Sequence, residues 1–200
     1  MDIDGRRIRV VGTGGFARSA AEGLRARGAR IVEGETAPDD SFDALVFAPW
    51  DPAVIVPRPI TELSDDEFDL AWQQTMDQAV ASCVEARAAF AGGPGNIVLT
   101  FPTTGLVGGA YHSHWAAAAE GVHILARSVA RQWGPEGITV NALAIDASVV
   151  LADPVSAGPV SIASPAVPGA RPDAVLAFLC SPEARDLAGQ TLTVDGGLWM

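Results

Sequence analysis

The stretch Ile8-Arg9-Val10-Val11-Gly12-Thr13-Gly14-Gly15-Phe16-Ala17 settles the class of fold. A short apolar strand runs directly into a glycine turn. A helical segment follows and stops at Gly28, a glycine placed where helices commonly end. Outward from it, strand and helix keep alternating. Residues 29–32 and 44–47 read as the second and third strands. Ser64-Asp65-Asp66-Glu67 is a capping box, a hydroxyl for the first turn and a glutamate three residues on. The helical pattern behind it runs toward Phe90 and halts at Gly92-Gly93-Pro94-Gly95. Ile97-Val98-Leu99-Thr100-Phe101 is continuously apolar, as a strand covered on both faces should be. A helix over 115–133, a strand over 138–143, a loop without period over 146–170, a short helix over 172–179 and a strand over 191–194 complete the chain. This alternation predicts an α/β fold, a Rossmann-like doubly wound parallel sheet with helices on both faces, in one domain over residues 1–200.

The composition agrees. Two hundred residues, 48% hydrophobic and 18% charged, suffice for one core, and a chain of this size buries roughly 70% of its unfolded surface without disulfide staples. Cys83 and Cys180 are too few for a disulfide framework and fit a reducing cytoplasm. A net charge of −11 repels phosphate backbones and anionic lipid, which excludes nucleic acid and membrane surfaces as expected partners. No apolar run approaches a membrane span, and residues 1–5 lack the form of a signal peptide, so a cytoplasmic location is expected. All 13 basic residues are arginine; the chain contains no lysine.

Gly12-x-Gly14-x-x-Ala17, opening a helix straight after a strand, has the form of a dinucleotide-binding turn. Its glycines let the backbone approach a pyrophosphate, and the helix N-terminus offers free amides. Glu33, 21 residues after Gly12, is placed to accept from a ribose 2′-hydroxyl and to favour NAD. The competing reading is a tight strand-to-helix turn with no ligand.

The second half is more specific. Gly121-Val122, Ala126-Arg127-Ser128-Val129-Ala130, Gly137-Ile138-Thr139-Val140-Asn141-Ala142 and Gly189-Gln190-Thr191-Leu192-Thr193-Val194-Asp195-Gly196-Gly197 resemble the short-chain dehydrogenase/reductase family, as do the helix start over 63–74 and Gly105-Leu106-Val107-Gly108-Gly109. The resemblance covers residues 10–197. It implies hydride transfer with a nicotinamide cofactor and a tyrosine as acid or base. A lysine four residues on would lower that tyrosine's pKa, a serine would polarise the substrate oxygen, and an asparagine would support a proton relay. Registered backwards from Gly121-Val122, the tyrosine position falls on Trp115, the lysine on Ala119, the serine on Pro102 and the asparagine on Thr75. All four groups are absent. A phenol with a pKa near ~10 needs a nearby cation to work at neutral pH, and a chain without lysine cannot supply the family's own in any register. Tyr111, the single tyrosine, is the alternative acid, with Thr103 or Thr104 as hydroxyl donor.

The cofactor side departs as well. The family's asparagine-asparagine-alanine-glycine turn reads Phe47-Ala48-Pro49-Trp50, where Pro49 has no amide to donate and Trp50 puts an indole where glycine leaves room. The family's proline-glycine after its sixth strand becomes Ile145-Asp146, a carboxylate near where the nicotinamide would lie. Only eleven residues, 33–43, separate the second and third strands, too few for the helix, strand and helix the family fits there. The expectation is therefore a sheet of about six strands with the family's third strand deleted.

Other clusters have plain readings. His112 and His114 lack a third ligand of metal spacing and read as polar loop residues. His123 reads as a core or interface histidine, and Cys83 as a buried structural thiol. Asp65, Asp66 and Asp69 complement a helix dipole, and Ser181-Pro182-Glu183 opens a helix. Ala116-Ala117-Ala118-Ala119 permit close helix approach. In the family this helix and the long one before it pack against a second subunit. Missing chemistry beside kept assembly segments points to a non-catalytic subunit. Such a pseudo-enzyme would assemble with an active family member in a hetero-oligomer, or with itself through the same helices, with no cofactor expected. The alternatives are an NAD-dependent oxidoreductase rewired around Tyr111 or His114, using Gly12, Gly14, Ala17 and Glu33, and a module that binds a nucleotide or small ligand without reacting.

Overall fold

The computed structural model describes residues 3–32, 41–153, 157 and 172–195. They form one six-stranded sheet in the order β2-β1-β3-β4-β5-β6. The strands are β1 (Arg7–Val11), β2 (Arg30–Val32), β3 (Ala44–Phe47), β4 (Gly95–Pro102), β5 (Ile138–Ile145) and β6 (Thr191–Val194). Every pairing is parallel. β3, β4 and β5 are buried along their whole length, which is why their sequences are apolar runs rather than alternations.

The chain steps from β1 outward to β2, then returns past β1 to β3 and continues the other way. Right-handed crossovers therefore put α1 (Gly15–Arg25) on one face and α2 (Asp65–Trp72), α3 (Gln78–Ala89) and α5 (Ser113–Trp133) on the other. α6 (Asp173–Leu179) packs on α1, so closely that a Cβ on Gly23 would fall 2.5 Å from the Asp173 Cβ. The strand order reverses between β1 and β3, so the crevice where such sheets bind ligands lies beyond the C-terminal ends of these two strands.

The expected architecture holds, with β2 and β6 as the edge strands among the described residues. Four local readings change. The long helix up to Ala89 is interrupted by a π-type turn, Gln73–Asp77, between α2 and α3. A one-turn helix, α4 (Thr104–Val107), follows β4 where no element was expected. Residues 147–149, expected as loop, form a 3₁₀ turn capped by the Asp146 carboxylate, which accepts from the Ser148 amide. Pro182–Ala184 is likewise a single 3₁₀ turn rather than the start of a longer helix.

The alanine run also behaves differently from expectation. Ala118 and Ala119 are fully buried against their own subunit and Ala116 nearly so; only Ala117 faces outward. Small residues here let α5 sit close to α4, α2 and the sheet. The outward apolar surface comes instead from Phe68, Trp72, Val80 and Val84 on the α2–α3 side and from Ile124 on α5. Trp72, Val80 and Val84 recur at helical spacing, and half-buried Met76 lies in the seam, where a Cβ on Gly121 of α5 would meet its Sδ at 2.8 Å.

Candidate functional site

Pro102 ends β4 opposite Ile145 of β5, and Trp115 and Ala119 lie on successive turns at the start of α5. Thr75 lies inside the π-type turn, which packs on α5. All four expected positions are buried, and Trp115, Ala119 and Pro102 carry no acid or base group. Trp115 is buried, and Ala119 is packed under α4, where a Cβ on Gly105 would lie 3.0 Å from the Ala119 Cβ. Thr75 has a hydroxyl, but it donates back to the Ala71 carbonyl at 2.6 Å, inside its own helix. Such a bond satisfies the backbone group that a π-type turn leaves over.

Tyr111, the alternative acid, lies in a turn at φ +62, and its side chain is 54% exposed. Its carbonyl accepts from the Arg58 amide at 2.7 Å. Thr103 and Thr104 are buried at the start of α4. His112 and His114, expected as polar loop residues, are both buried. His112 caps its own turn, with Nδ1 2.8 Å from the Ala110 carbonyl. The Nδ1 atom of His114 is enclosed without a hydrogen bond, and burial, reinforced by the neighbouring His112, pushes its pKa below the usual histidine value. Beside it Arg58 and Glu67 form a 2.6 Å ion pair, and the Arg58 guanidinium with the Ser64 amide and hydroxyl holds the Glu67 carboxyl down at about 2. Among the described residues no cluster of three or more His, Cys, Asp or Glu side chains could hold a metal ion.

His123 is a core histidine, as expected, and its contacts say why. Its Nε2 lies 2.8 Å from the Thr191 hydroxyl and its Nδ1 3.0 Å from a Glu120 oxygen, while the ring stacks on Phe101 at 4.9 Å. It pins α5 to the edge strand β6. Cys83 and Cys180 are buried free thiols, and burial pushes both up to about 12.

The glycine turn is where the structure says most about a cofactor. Gly12 sits at φ +134, and a Cβ there would fall 2.0 Å from the Ala48 carbonyl oxygen. A Cβ on Gly14 would fall 2.3 Å from the Trp50 carbonyl oxygen. Both glycines are thus required by the loop that follows β3. Ala17 packs in the first turn of α1, also against Gly12. Glu33 lies outside the described residues. A groove of about 370 Å³ lies along β1 and α1, lined among others by Arg9, Gly12, Thr13, Ala17, Arg18 and Ile31, so that the glycine turn borders it. The Arg18 guanidinium is tied to the Thr13 carbonyl.

Sequence reasoning had placed Trp50 at this point but missed what holds it. Trp50 is 1% exposed, and its Nε1–H donates to the Thr100 carbonyl at 2.8 Å. The Thr100 hydroxyl in turn donates to the Phe47 carbonyl at 2.7 Å. A buried indole N–H has to find an acceptor, so a partner on the adjacent strand was the signal available.

Comparison with known proteins places this geometry. A family model described as enoyl-(acyl carrier protein) reductase matches residues 40–158. The 3-oxoacyl-[acyl-carrier-protein] reductase FabG of Escherichia coli is 28% identical over 245 aligned positions covering all of both chains. A tropinone reductase homologue of Arabidopsis thaliana is 34% identical over 119 residues, 54% of this chain and 44% of its own. Among solved structures, a Thermus thermophilus protein superposes with a TM-score of 0.80 at 26% identity, covering 96% of this chain and 98% of its own. A Beutenbergia cavernae protein assigned as an NAD(P) dependent gluconate 5-dehydrogenase superposes with a TM-score of 0.82 at 25% identity, covering 98% of both chains, and its crystal structure carries NADP at low occupancy.

Proposed function

The chain belongs to the short-chain dehydrogenase/reductase family, and from that membership we propose that it is a non-catalytic subunit that assembles with, and supports, a catalytically complete oxidoreductase of the same family. One observation supports the reading: Trp115, Ala119, Pro102 and Thr75, which the family register sets at the positions for acid, cation, hydroxyl and amide, are all buried. No lysine exists elsewhere in the chain to stand in. A neutral, unactivated phenol is a poor acid at pH 7.

The assembly half of the proposal rests on the outward face of α2, α3 and α5. Phe68, Trp72, Val80, Val84 and Ile124 leave between 41% and 60% of themselves exposed. Large apolar side chains grouped at helical spacing mark a surface that another protein covers. A family member presents helices of matching form, so an oligomer of unlike but related subunits suits this face, as does self-association.

The test is co-expression with candidate reductases from the same genome, followed by native mass spectrometry and assay of the partner with and without this chain. A mixed oligomer with altered partner stability or kcat is expected. Strict self-association with an unaffected partner would overturn the proposal.

A second reading is an oxidoreductase rewired around Tyr111 or His114. It is favoured by the NADP bound to the Beutenbergia cavernae neighbour and by the placement of both residues immediately before Trp115. It requires nicotinamide-dependent turnover by the purified chain alone, abolished by Tyr111→Phe or His114→Gln.

A further inference from the structure

We propose that Thr191, His123 and Glu120 form a second site, a nucleophile, a base and an orienting carboxylate, that hydrolyses small esters bearing an anionic group. The site uses none of the four positions where the redox chemistry is lost, and it rests on neither that loss nor the assembly proposed above. A hydrolytic step here would leave the chain non-catalytic as an oxidoreductase.

The relay is read from its bonds. Glu120 lies one turn before His123 on α5, and its two carboxylate oxygens are 3.1 and 3.0 Å from the His123 Nδ1. A carboxylate only accepts, so Nδ1 carries the hydrogen, and in the neutral ring Nε2 is left as the acceptor. The Thr191 hydroxyl, 2.8 Å from Nε2, therefore donates to it. This order of groups, base on the hydroxyl and carboxylate on the far side of the base, is what turns a hydroxyl into a nucleophile. The imidazole also lies nearly parallel to the Phe101 ring, with centroids 4.9 Å apart. Thr191 is held by the residues before it. The Gly189 amide donates to the Val140 carbonyl at 2.8 Å, the Gln190 amide to the Asn141 Oδ1 at 3.0 Å, and the Gln190 carbonyl accepts from the Ala142 amide at 2.8 Å. Both partners of the reacting hydroxyl are thus fixed before any substrate arrives.

A cleft of about 610 Å³ opens at Thr191, lined among others by Arg127, Arg131, Gly189 and Gln190. Its size suits a small ligand. Arg127 and Arg131 lie one turn apart on α5, both exposed, and neither pairs with a carboxylate among the described residues. In a chain of net charge −11, two unpaired guanidinium groups on one cleft favour an anionic ligand. The His123 side chain is only 7% exposed, so a substrate meets the hydroxyl before the base. In the first step the Thr191 Oγ bonds to the ester carbonyl carbon as its proton passes to Nε2. The bond from that carbon to the alcohol oxygen breaks, and the alcohol leaves with the proton. Water then attacks the acyl-threonine and gives a proton to Nε2. The carboxylic acid leaves, and the proton returns to the Thr191 oxygen.

The experiment assays the full chain with the para-nitrophenyl half-ester of succinic acid, and with neutral para-nitrophenyl acetate for comparison. Turnover above the buffer rate is expected, with kcat/KM about tenfold higher for the half-ester. Mass spectrometry of the quenched reaction should find the succinyl group on Thr191. Thr191→Val keeps the branched shape on β6 and should lower kcat by about 100-fold or more, whereas Thr191→Ser should retain turnover. Arg127→Ala/Arg131→Ala alters exposed side chains only and should erase the preference for the half-ester. Glu120 is a positioning residue, and Glu120→Gln should lower kcat with KM unchanged. The site is overturned by a rate no faster than buffer, by turnover that survives Thr191→Val, by an acyl group found only on other residues, or by a half-ester used no better than the acetate. Should Thr191→Val unfold, the position of the acyl group and the arginine double variant decide.

Discussion

Gly14 and Gly15 are neighbours in one glycine turn, yet the structure gives them different reasons to be there. A methyl group on Gly14 would meet the Trp50 carbonyl at 2.3 Å, whereas on Gly15 its nearest neighbour would be an Arg18 nitrogen at 3.9 Å. Gly14→Ala must push a backbone loop outward and should cost ~1–3 kcal/mol. Gly15→Ala enters the first turn of α1 without contact and should stabilise by ~0.5–1 kcal/mol. Urea denaturation of the two variants checks both signs. His114 makes a second case. Its folded pKa lies below that of the unfolded chain, so below about pH 6.5 the unfolded chain binds the extra proton, and stability falls as pH drops. His114→Leu removes that proton and the unbonded Nδ1 together. The variant should match or exceed wild type at pH 7.5, and its urea midpoint should fall less steeply toward pH 5.5. None of this was legible beforehand, because neither the packing of a loop onto a turn nor the enclosure of a helix-start histidine leaves a mark in local sequence.

The start of α2 shows the opposite case, an element written into the sequence. Ser64 accepts from the Glu67 amide and Glu67 accepts from the Ser64 amide, the reciprocal bonds that a hydroxyl and a glutamate three residues apart announce. What the spacing could not announce is Arg58, nine residues upstream, which reaches the same carboxylate. With the Glu67 carboxyl lowered from 4.5 to about 2, the pair and the box contribute stability above pH 4.5 that is lost as pH falls toward 2. Glu67→Gln should therefore lower the urea midpoint at pH 7, and the gap to wild type should close over that window. Farther along the same helix, legibility ends at the π-type turn. The 3.6-residue pattern continues through Gln73–Asp77, and only the tertiary contact of Met76 with α5 and the back-bonded Thr75 hydroxyl show that the backbone widens there. Periodicity reports which face is apolar, and it does not report a single added residue in a turn.

For the molecule as a whole, chain length was the most informative reading. Eleven residues between the second and third strands exclude a crossover with its own strand, and the sheet has β2 at its edge among the described residues. The alignment to the Escherichia coli reductase needs 245 positions for a chain of 200, as a deletion requires. The site was legible by subtraction, since absent groups can be read from sequence while the packing that replaces them cannot. The assembly surface was legible only in part. The alanine run that suggested it faces its own core, and the exposed stripe of Trp72, Val80 and Val84 lies on the preceding helices. That placement makes a test specific to the surface possible. Trp72→Glu and Val84→Asp put charges where 41% and 60% of each side chain already meets solvent, so the isolated subunit loses little on folding. In an assembled interface the same charges would be buried without partners. The double variant should keep its circular dichroism spectrum and melting temperature when dilute, yet dissociate in native mass spectrometry under conditions where wild type remains assembled. Oligomers that survive both substitutions would show that this face meets only water.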